Sequence, residues 1–502
     1  MNATLRRLST VVMVMFLALM VSTTWIQFVQ AKSLNEDPRN VRGTYSALSR
    51  DRGPIVVSNG DPIATSVPVD DNFKYQRTYS DGDAGAASVY APITGYFAIN
   101  GTITGMERYA NSYLAGEDDS LWLDRLQNLI TGEEAQGSSV ELTIDPKVQK
   151  AAWDALGDYT GAAVALDPKT GAILAMVSKP SYDPNRLAVH DSTEVNATSE
   201  ELINTKPTIN NRDGSQGTST DSVLSNRAIQ MIKPPGSTFK LVTAAAALES
   251  GNYSADKMIP AKDNYVPPHM SQPVGNFGGY PCADSQEMTL KEAMTISCNS
   301  AFAELAVTLG AEQMNDTFEA FGLNEELDIP MQVEPGTYPA DGSEDLIAYS
   351  GIGQGGVLLT PLQDAMIAAG IANGGVVMEP YLIKGVRDSD LELVEQTKPR
   401  RLSTAVSSTT ADALTDMMIS VVNEGSGTGA QLPGIQVAGK TGTAEEDPRA
   451  PTLWFTSFAP ADDPQIAVSV MLENQGEATE TTTGGALAAP IAAKILQAAI
   501  SK

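Results

Sequence analysis

The sequence predicts an α/β fold in which strands from both ends of one domain build an antiparallel sheet around a helical middle. Three observations carry this reading. Two apolar strands, Gly161 to Leu166 and Ala172 to Val177, flank Asp167-Pro168-Lys169-Thr170-Gly171 as a hairpin and its turn. Three more strand-like runs come late, at Ile435 to Thr443, Leu453 to Phe458 and Gln465 to Leu472. Between the two sets, from Ser237 to Ala372, the patterns are mostly helical. A small β-rich domain and an N-terminal membrane helix precede this domain, giving segments 1–31, 32–138 and 139–502.

The membrane helix is expected because Arg6 and Arg7 are followed by an uncharged run from Leu8 to Ala31, long enough to span about 30 Å of hydrocarbon. The two arginines place the N-terminus inside and the remainder across the membrane, with Trp25 and Phe28 at the interface. A cleaved signal peptide ending at Val29-Gln30-Ala31 is the alternative. The segment 32–138 reads as β-rich: Asn59-Gly60 is a hairpin signal, and Ser88 to Ala98 reads as short strands around a turn. Val140, Leu142 and Ile144 alternate as a strand. Asp145 and Pro146 then cap and open a helix to Leu156. His190 to Ser225 reads as a long polar, mobile excursion. Thr289-Leu290-Lys291-Glu292 is a capping box, Thr360-Pro361-Leu362-Gln363 opens another helix, and an Ala- and Ile-rich helix closes the chain from Ala488 to Ile500.

Composition excludes several function classes. A net charge of −28 leaves no basic patch for nucleic acid. Two histidines, His190 and His269, and two cysteines, Cys282 and Cys298, exclude a His-rich or Cys₄ metal site. No metal and no cofactor is expected. Neither histidine lies in a suggestive motif, so the base of a hydrolase or acyl transferase here is expected to be something else. Beyond a membrane the cysteines meet an oxidising compartment and read as a disulfide, worth roughly 3 kcal/mol in the chain-entropy picture; two buried thiols are the alternative.

The chemistry is concentrated around Pro234-Pro235-Gly236-Ser237-Thr238-Phe239-Lys240. The prolines and glycine start a helix near Ser237, and Leu241 to Glu249 sustains it up to Gly251. Residues three apart share a helix face, which brings Lys240 within reach of the Ser237 hydroxyl. First-turn N–H groups lack intrahelical partners and can face an oxyanion. A serine beside an amine at such a turn suits an acyl-transfer nucleophile. Ser297-Cys298-Asn299 lies between two helices, where a hydroxyl can relay a proton and an amide can hold a carbonyl. Lys440-Thr441-Gly442-Thr443 lies on a strand with small neighbours, where a substrate backbone can lie close and a carboxylate can be held. A second Lys-Thr-Gly, Lys169 to Gly171, sits in the hairpin turn and reads as turn chemistry.

Ser-x-x-Lys, Ser-x-Asn and Lys-Thr-Gly in this order resemble the penicillin-binding protein and serine β-lactamase superfamily. Further stretches resemble class B penicillin-binding proteins, closest to the actinobacterial A-type. They are Arg52-Gly53-Pro54-Ile55 with Asn59-Gly60, Pro180 to Asn185, Asn226-Arg227-Ala228, Gly351 to Gly355 and Ala489-Pro490-Ile491. Gln230-Met231-Ile232-Lys233 replaces the more usual aromatic approach to Pro-Pro-Gly. The resemblance implies a transpeptidase domain with helices on both sheet faces and a helical subdomain, and D,D-transpeptidation of peptidoglycan stem peptides ending in D-Ala-D-Ala. Ser237 would be the nucleophile and Lys240 the base. Ser297 would relay protons and Asn299 hold the substrate. Lys440, Thr441, Gly442 and Thr443 would bind the terminal carboxylate, with Ser237 and Thr443 N–H forming the oxyanion hole. β-Lactams would acylate Ser237 and remain. A membrane glycan polymerase is the implied partner, and the catalytic domain is expected outside the cytoplasm on a single-pass anchor. Such a base needs a lysine depressed by roughly 3.4 units from about 10.4, or about 4.6 kcal/mol.

Three other readings compete. A β-lactamase or β-lactam sensor would share fold and nucleophile. A dinucleotide-binding enzyme is suggested by Gly351-Ile352-Gly353-Gln354-Gly355-Gly356 with Glu379 further on, although the following helix opens only at Pro361. A non-catalytic scaffold would show no acylation.

Overall fold

The computed structural model describes residues 3–30, 45, 48–118, 136–268, 273–279, 281–474 and 482–501. The expected boundary at 31/32, the end of the cleavage motif at Ala31 and His269 lie outside the described residues. Helix α1, Ala3–Thr24, continues as a wider π turn, Trp25–Val29. Its stretch Leu5–Gln27 is long and apolar enough to cross a membrane, and none of it is buried within the protein.

Two sheets organise the remainder of the chain. The strands of the first are β1 (Ile55–Val56), β2 (Pro62–Pro68), β3 (Tyr75–Tyr79) and β4 (Ser139–Leu142). The second begins with β5 (Gly161–Leu166) and β6 (Ile173–Lys179). Two later strands, β7 (Ile383–Arg387) and β8 (Leu393–Gln396), return to the first sheet, whose order is β8-β7-β4-β1-β2-β3. The last three, β9 (Ala438–Glu446), β10 (Arg449–Ala459) and β11 (Ile466–Leu472), complete the second, antiparallel throughout, in the order β9-β10-β11-β5-β6. Early and late strands therefore meet at β5 and β11, as expected from the sequence.

The five-stranded sheet is covered on both faces, which explains its nearly unbroken apolar strands. Successive side chains alternate between faces. Ala163, Ala165, Val468 and Val470 join a core with Val148 and Ala152 of one helix (Pro146–Leu156) and Ile491 and Ile495 of another (Ala489–Ile500). Ala162, Val164, Ala467 and Met471 face the opposite core, which contains Leu362 and Met366 of the helix Pro361–Ala372. The caps follow the sequence: Asp145 accepts from Lys147 and Val148 N, and both Thr289/Glu292 and Thr360/Gln363 form capping boxes. Cys282 and Cys298 form a disulfide.

Two expectations are corrected. Ser88 to Ala98 is not a pair of short strands: Ala84–Thr94 is a helix, capped by the Asp83 carboxylate, and Gly95 at φ 64° ends it. Val89, Tyr90 and Ile93 suggest strand, but the Asp83 cap and the alanines decide. Pro92 sits inside the helix because the Ser88 carbonyl, denied an amide there, accepts from the Ser181 hydroxyl at 2.7 Å. The N-terminal region is thus mixed α/β rather than simply β-rich. The polar stretch from His190 to Ser225 also carries regular structure. Asp191 caps the helix Ser192–Asn204, which buries Val195, Thr198 and Leu202 along one stripe. A hairpin, Thr208–Asn210 with Gln216–Thr218, follows.

Candidate active site

The nucleophile motif forms a 3₁₀ turn, Gly236–Phe239, that runs into the helix Lys240–Glu249. Gly236 has φ 56°, and a Cβ there would lie 2.8 Å from the Thr443 carbonyl oxygen. The turn is therefore pressed directly onto strand β9. Gly353 (φ 74°) closes it from the other side: Gly236 N donates to Gly353 O at 3.0 Å, and a Cβ on Gly353 would stand 2.0 Å from Gly236 O. Gly442 has Pro235 O only 2.5 Å from where its Cβ would be. Of the glycines that suggest a dinucleotide motif, Gly353 fits its segment against the nucleophile turn, and the helix after them begins at Pro361.

Ser237 is half-buried, and its hydroxyl makes no hydrogen bond among the described residues. Lys240 is fully buried. Its Nζ turns to the second motif rather than to Ser237, with Ser297 O at 2.8 Å, Asn299 Oδ1 at 2.7 Å and Ser297 Oγ at 3.1 Å. Lys440, also fully buried, reaches the same Ser297 Oγ at 2.9 Å and Thr441 O at 3.1 Å. Two amines thus converge on one hydroxyl. Burial and the adjacent Lys440 push the Lys240 amine well below its ordinary value, and burial brings Lys440 down to about 7. Two of the Lys240 partners, a carbonyl and an amide oxygen, can only accept. When Lys240 is neutral, its lone pair is left for the Ser297 O–H, and Ser297 Oγ in turn accepts from Lys440.

Ser297 adopts φ 62°, an uncommon conformation for a residue with a side chain. It precedes the helix Asn299–Leu309, and the Cys282–Cys298 disulfide anchors the middle of its motif. Asn299 Nδ2 donates to Gly275 O at 3.0 Å, which fixes its amide so that Oδ1 faces Lys240. Thr441 Oγ1 meets Ser426 Oγ at 2.7 Å, and the Thr443 hydroxyl accepts from Gly484 N at 3.3 Å. Ser237, Lys240, Ser297, Asn299, Lys440, Thr441, Gly442 and Thr443 accordingly line one site. His190 lies elsewhere, bonded to Asp71 at 2.7 Å, and Lys169 pairs on the surface with Asp463. Sequence reasoning missed Ser426, although the run Gly425-Ser426-Gly427-Thr428-Gly429 before β9 is an available signal. It also missed Gly275, which no local pattern marks.

The family pattern described as the penicillin binding protein transpeptidase domain matches residues 161–497. The chain belongs to the penicillin-binding protein transpeptidase family. A second pattern, the penicillin binding protein A dimerisation domain, matches residues 52–140 of this class B penicillin-binding protein. The chain is 41% identical to the peptidoglycan D,D-transpeptidase PbpA of Mycolicibacterium smegmatis over 100% of its own length and 99% of that protein. It is 40% identical to PbpA of Mycobacterium tuberculosis over the same shares. Its fold matches the imipenem acyl-enzyme complex of penicillin-binding protein A from M. tuberculosis with a TM-score of 0.83 and 38% identity, covering 91% of this chain and 100% of that one. The penicillin G acyl-enzyme complex of the same protein matches with a TM-score of 0.82 over 90% and 100%.

Proposed function

We propose that this penicillin-binding protein cross-links peptidoglycan as a serine-type D,D-transpeptidase, with Ser237 as its nucleophile. The observation that carries the role assignment is the convergence of Lys240 and Lys440 on Ser297 Oγ, beside the turn that presents Ser237. Ser237 Oγ attacks the carbonyl carbon of the penultimate D-alanine and gives its proton to neutral Lys240, whose lone pair turns from the Ser297 O–H to receive it. The N–H groups of Ser237 and Thr443 hold the oxyanion. Collapse expels the terminal D-alanine, whose amine takes a proton through Ser297, supplied from the lysine pair. Asn299 orients Lys240 and the substrate, while Lys440, Thr441, Gly442 and Thr443 receive the terminal carboxylate. An amine of a neighbouring stem peptide then takes the acyl group. A β-lactam follows the same first step, but its leaving amine stays tethered, so the adduct persists.

The same reading makes residues 1–31 a membrane anchor, 32–138 a non-catalytic module and 139–502 the transpeptidase domain, extracytoplasmic because Arg6 and Arg7 stay inside. It also gives the enzyme a membrane glycan polymerase as partner. The test is the intact mass of the full chain in detergent after incubation with benzylpenicillin, beside Ser237→Ala. One lasting adduct on the wild type, absent from the variant, is expected. No adduct on folded wild type, or rapid turnover of the drug, would overturn the proposal.

A further inference from the structure

Lys233 stands where the chain departs from an aromatic approach to Pro-Pro-Gly. Its backbone is held from one side, with Lys233 N donating to Leu359 O at 3.0 Å and Leu359 N to Lys233 O at 2.9 Å. Its side chain, only 10% exposed, donates to Glu446 Oε2 at 2.7 Å. Glu446 is the last residue of β9, shortly after Thr443. A second carboxylate, Glu473 after β11, has Oε1 3.9 Å from the same Nζ, and its other oxygen lies 3.5 Å from Arg227 Nε. Two cations and two carboxylates form a charge-balanced, enclosed cluster between the nucleophile loop and the ends of two strands.

Such a cluster is a poor source of stability, because desolvating four charges offsets most of their attraction. Apolar side chains would fill the same space. What an ion pair adds is a fixed contact between two particular atoms. The contact falls at an irregular point of the strand: the β9–β10 register shifts between Ala444 and Glu446, just beyond Thr443, before pairing resumes at Glu446 and Arg449, and Glu446 Oε1 also accepts from the Thr452 hydroxyl. On the other side, Pro234 and Pro235 follow Lys233 with fixed φ, so a displacement of residue 233 is carried into Gly236 and Ser237.

We propose that Lys233 is a positioning residue for acyl transfer: through Glu446 it holds the end of the Lys-Thr-Gly strand against the nucleophile turn and sets the spacing of the Ser237 and Thr443 N–H groups. This rests on the reading of Ser237 as nucleophile. Lys233 touches neither substrate nor reacting atoms. Its loss acts on the rate of the acylation step rather than on drug capture.

The full chain in detergent is followed by intact mass over a range of benzylpenicillin concentrations, which separates the limiting acylation rate from the apparent dissociation constant. Lys233→Met is expected to lower the limiting rate about 10- to 100-fold, the scale of a misplaced oxyanion donor. The dissociation constant is expected to stay within about threefold. Lys233→Arg, which keeps the charge, recovers most of the rate, and Glu446→Gln repeats the loss. A purely structural cluster would lower Tm in Lys233→Met and leave the limiting rate of the folded protein unchanged; that result, or a change confined to the dissociation constant, overturns the proposal. If Lys233→Met does not fold, Glu446→Gln decides by the same two constants. A wild type that takes no drug at all would instead overturn the Ser237 reading.

Discussion

Adding one methyl group at Gly353 is predicted to disable acylation from outside the three motifs. A Cβ at this position would stand 2.0 Å from Gly236 O, 2.7 Å from Gly236 C and 2.8 Å from Gly236 N. All three atoms are backbone, so no side-chain rotation relieves the overlap. Ordinary contact requires the two segments to separate by about 1 Å or more, and a displacement of that size at a reacting centre can cost on the order of 100-fold in rate. The backbone adds its own penalty, since an alanine at φ 74° is strained by about 1–2 kcal/mol. The Gly236 N to Gly353 O bond stretches as well. Gly353→Ala should therefore lose more stability in denaturant unfolding than the backbone strain of about 1–2 kcal/mol alone, and slow acylation by benzylpenicillin about 10- to 100-fold. The two losses are read on the same preparation. If the variant is destabilised yet acylates at the wild-type rate, the glycine loop yields rather than the nucleophile turn, and the argument that Gly353 fixes Ser237 fails.

Three further outcomes are expected. Lys240 binds its proton less readily than a free lysine, so acylation should rise with pH through a midpoint far below about 10.4. Lys440→Gln removes the neighbouring cation and should move that midpoint upward; rate–pH profiles of the two proteins check it, and an unmoved midpoint counts against coupling of the amines. Replacing Cys282 and Cys298 by serine opens a loop of sequence separation 16 beside the second motif and should cost about 3 kcal/mol in unfolding free energy. Asp364 is fully buried against the Ser469 hydroxyl, and burial raises its carboxyl to about 6. The folded state then holds its proton longer than the unfolded one, so this contribution favours folding below about 4 and is lost as pH rises through about 6. Asp364→Asn should raise Tm at pH 7.5 and flatten its dependence between pH 4 and 7, as differential scanning fluorimetry will read.

Much of this site is written in local signals. Asp145-Pro146, Thr289 to Glu292 and Thr360 to Gln363 announce their helices because capping is chemistry between residues a few positions apart. Strands β5, β6 and β9 to β11 are legible because a sheet buried on both faces demands continuous apolar runs. Ser237, Lys240, Ser297 and Lys440 are legible as residue types at fixed spacings, but the direction of Lys240 is not. Helical spacing points its amine at Ser237, whereas the acceptors that hold it, Ser297 and Asn299, come from a segment nearly sixty residues away. The helix Ala84–Thr94 is hidden for a similar reason, since the hydroxyl that excuses Pro92 belongs to Ser181. Polarity between His190 and Ser225 suggests a loop, yet one stripe of three buried side chains suffices to dock a helix there.

The six-stranded sheet has a consequence for dissecting the molecule. Strand β4 pairs in parallel with β1 and antiparallel with β7, so strands from both sides of residue 138 share one ladder. A fragment begun at residue 139 would keep β4 and β7 but strip away β1, β2 and β3, baring a row of unpaired amides and carbonyls along β4. Exposed edges of that kind recruit other chains. Such a fragment is expected to aggregate where the longer piece stays monodisperse, and poor behaviour in it would reflect a torn sheet rather than a flaw in the chemistry.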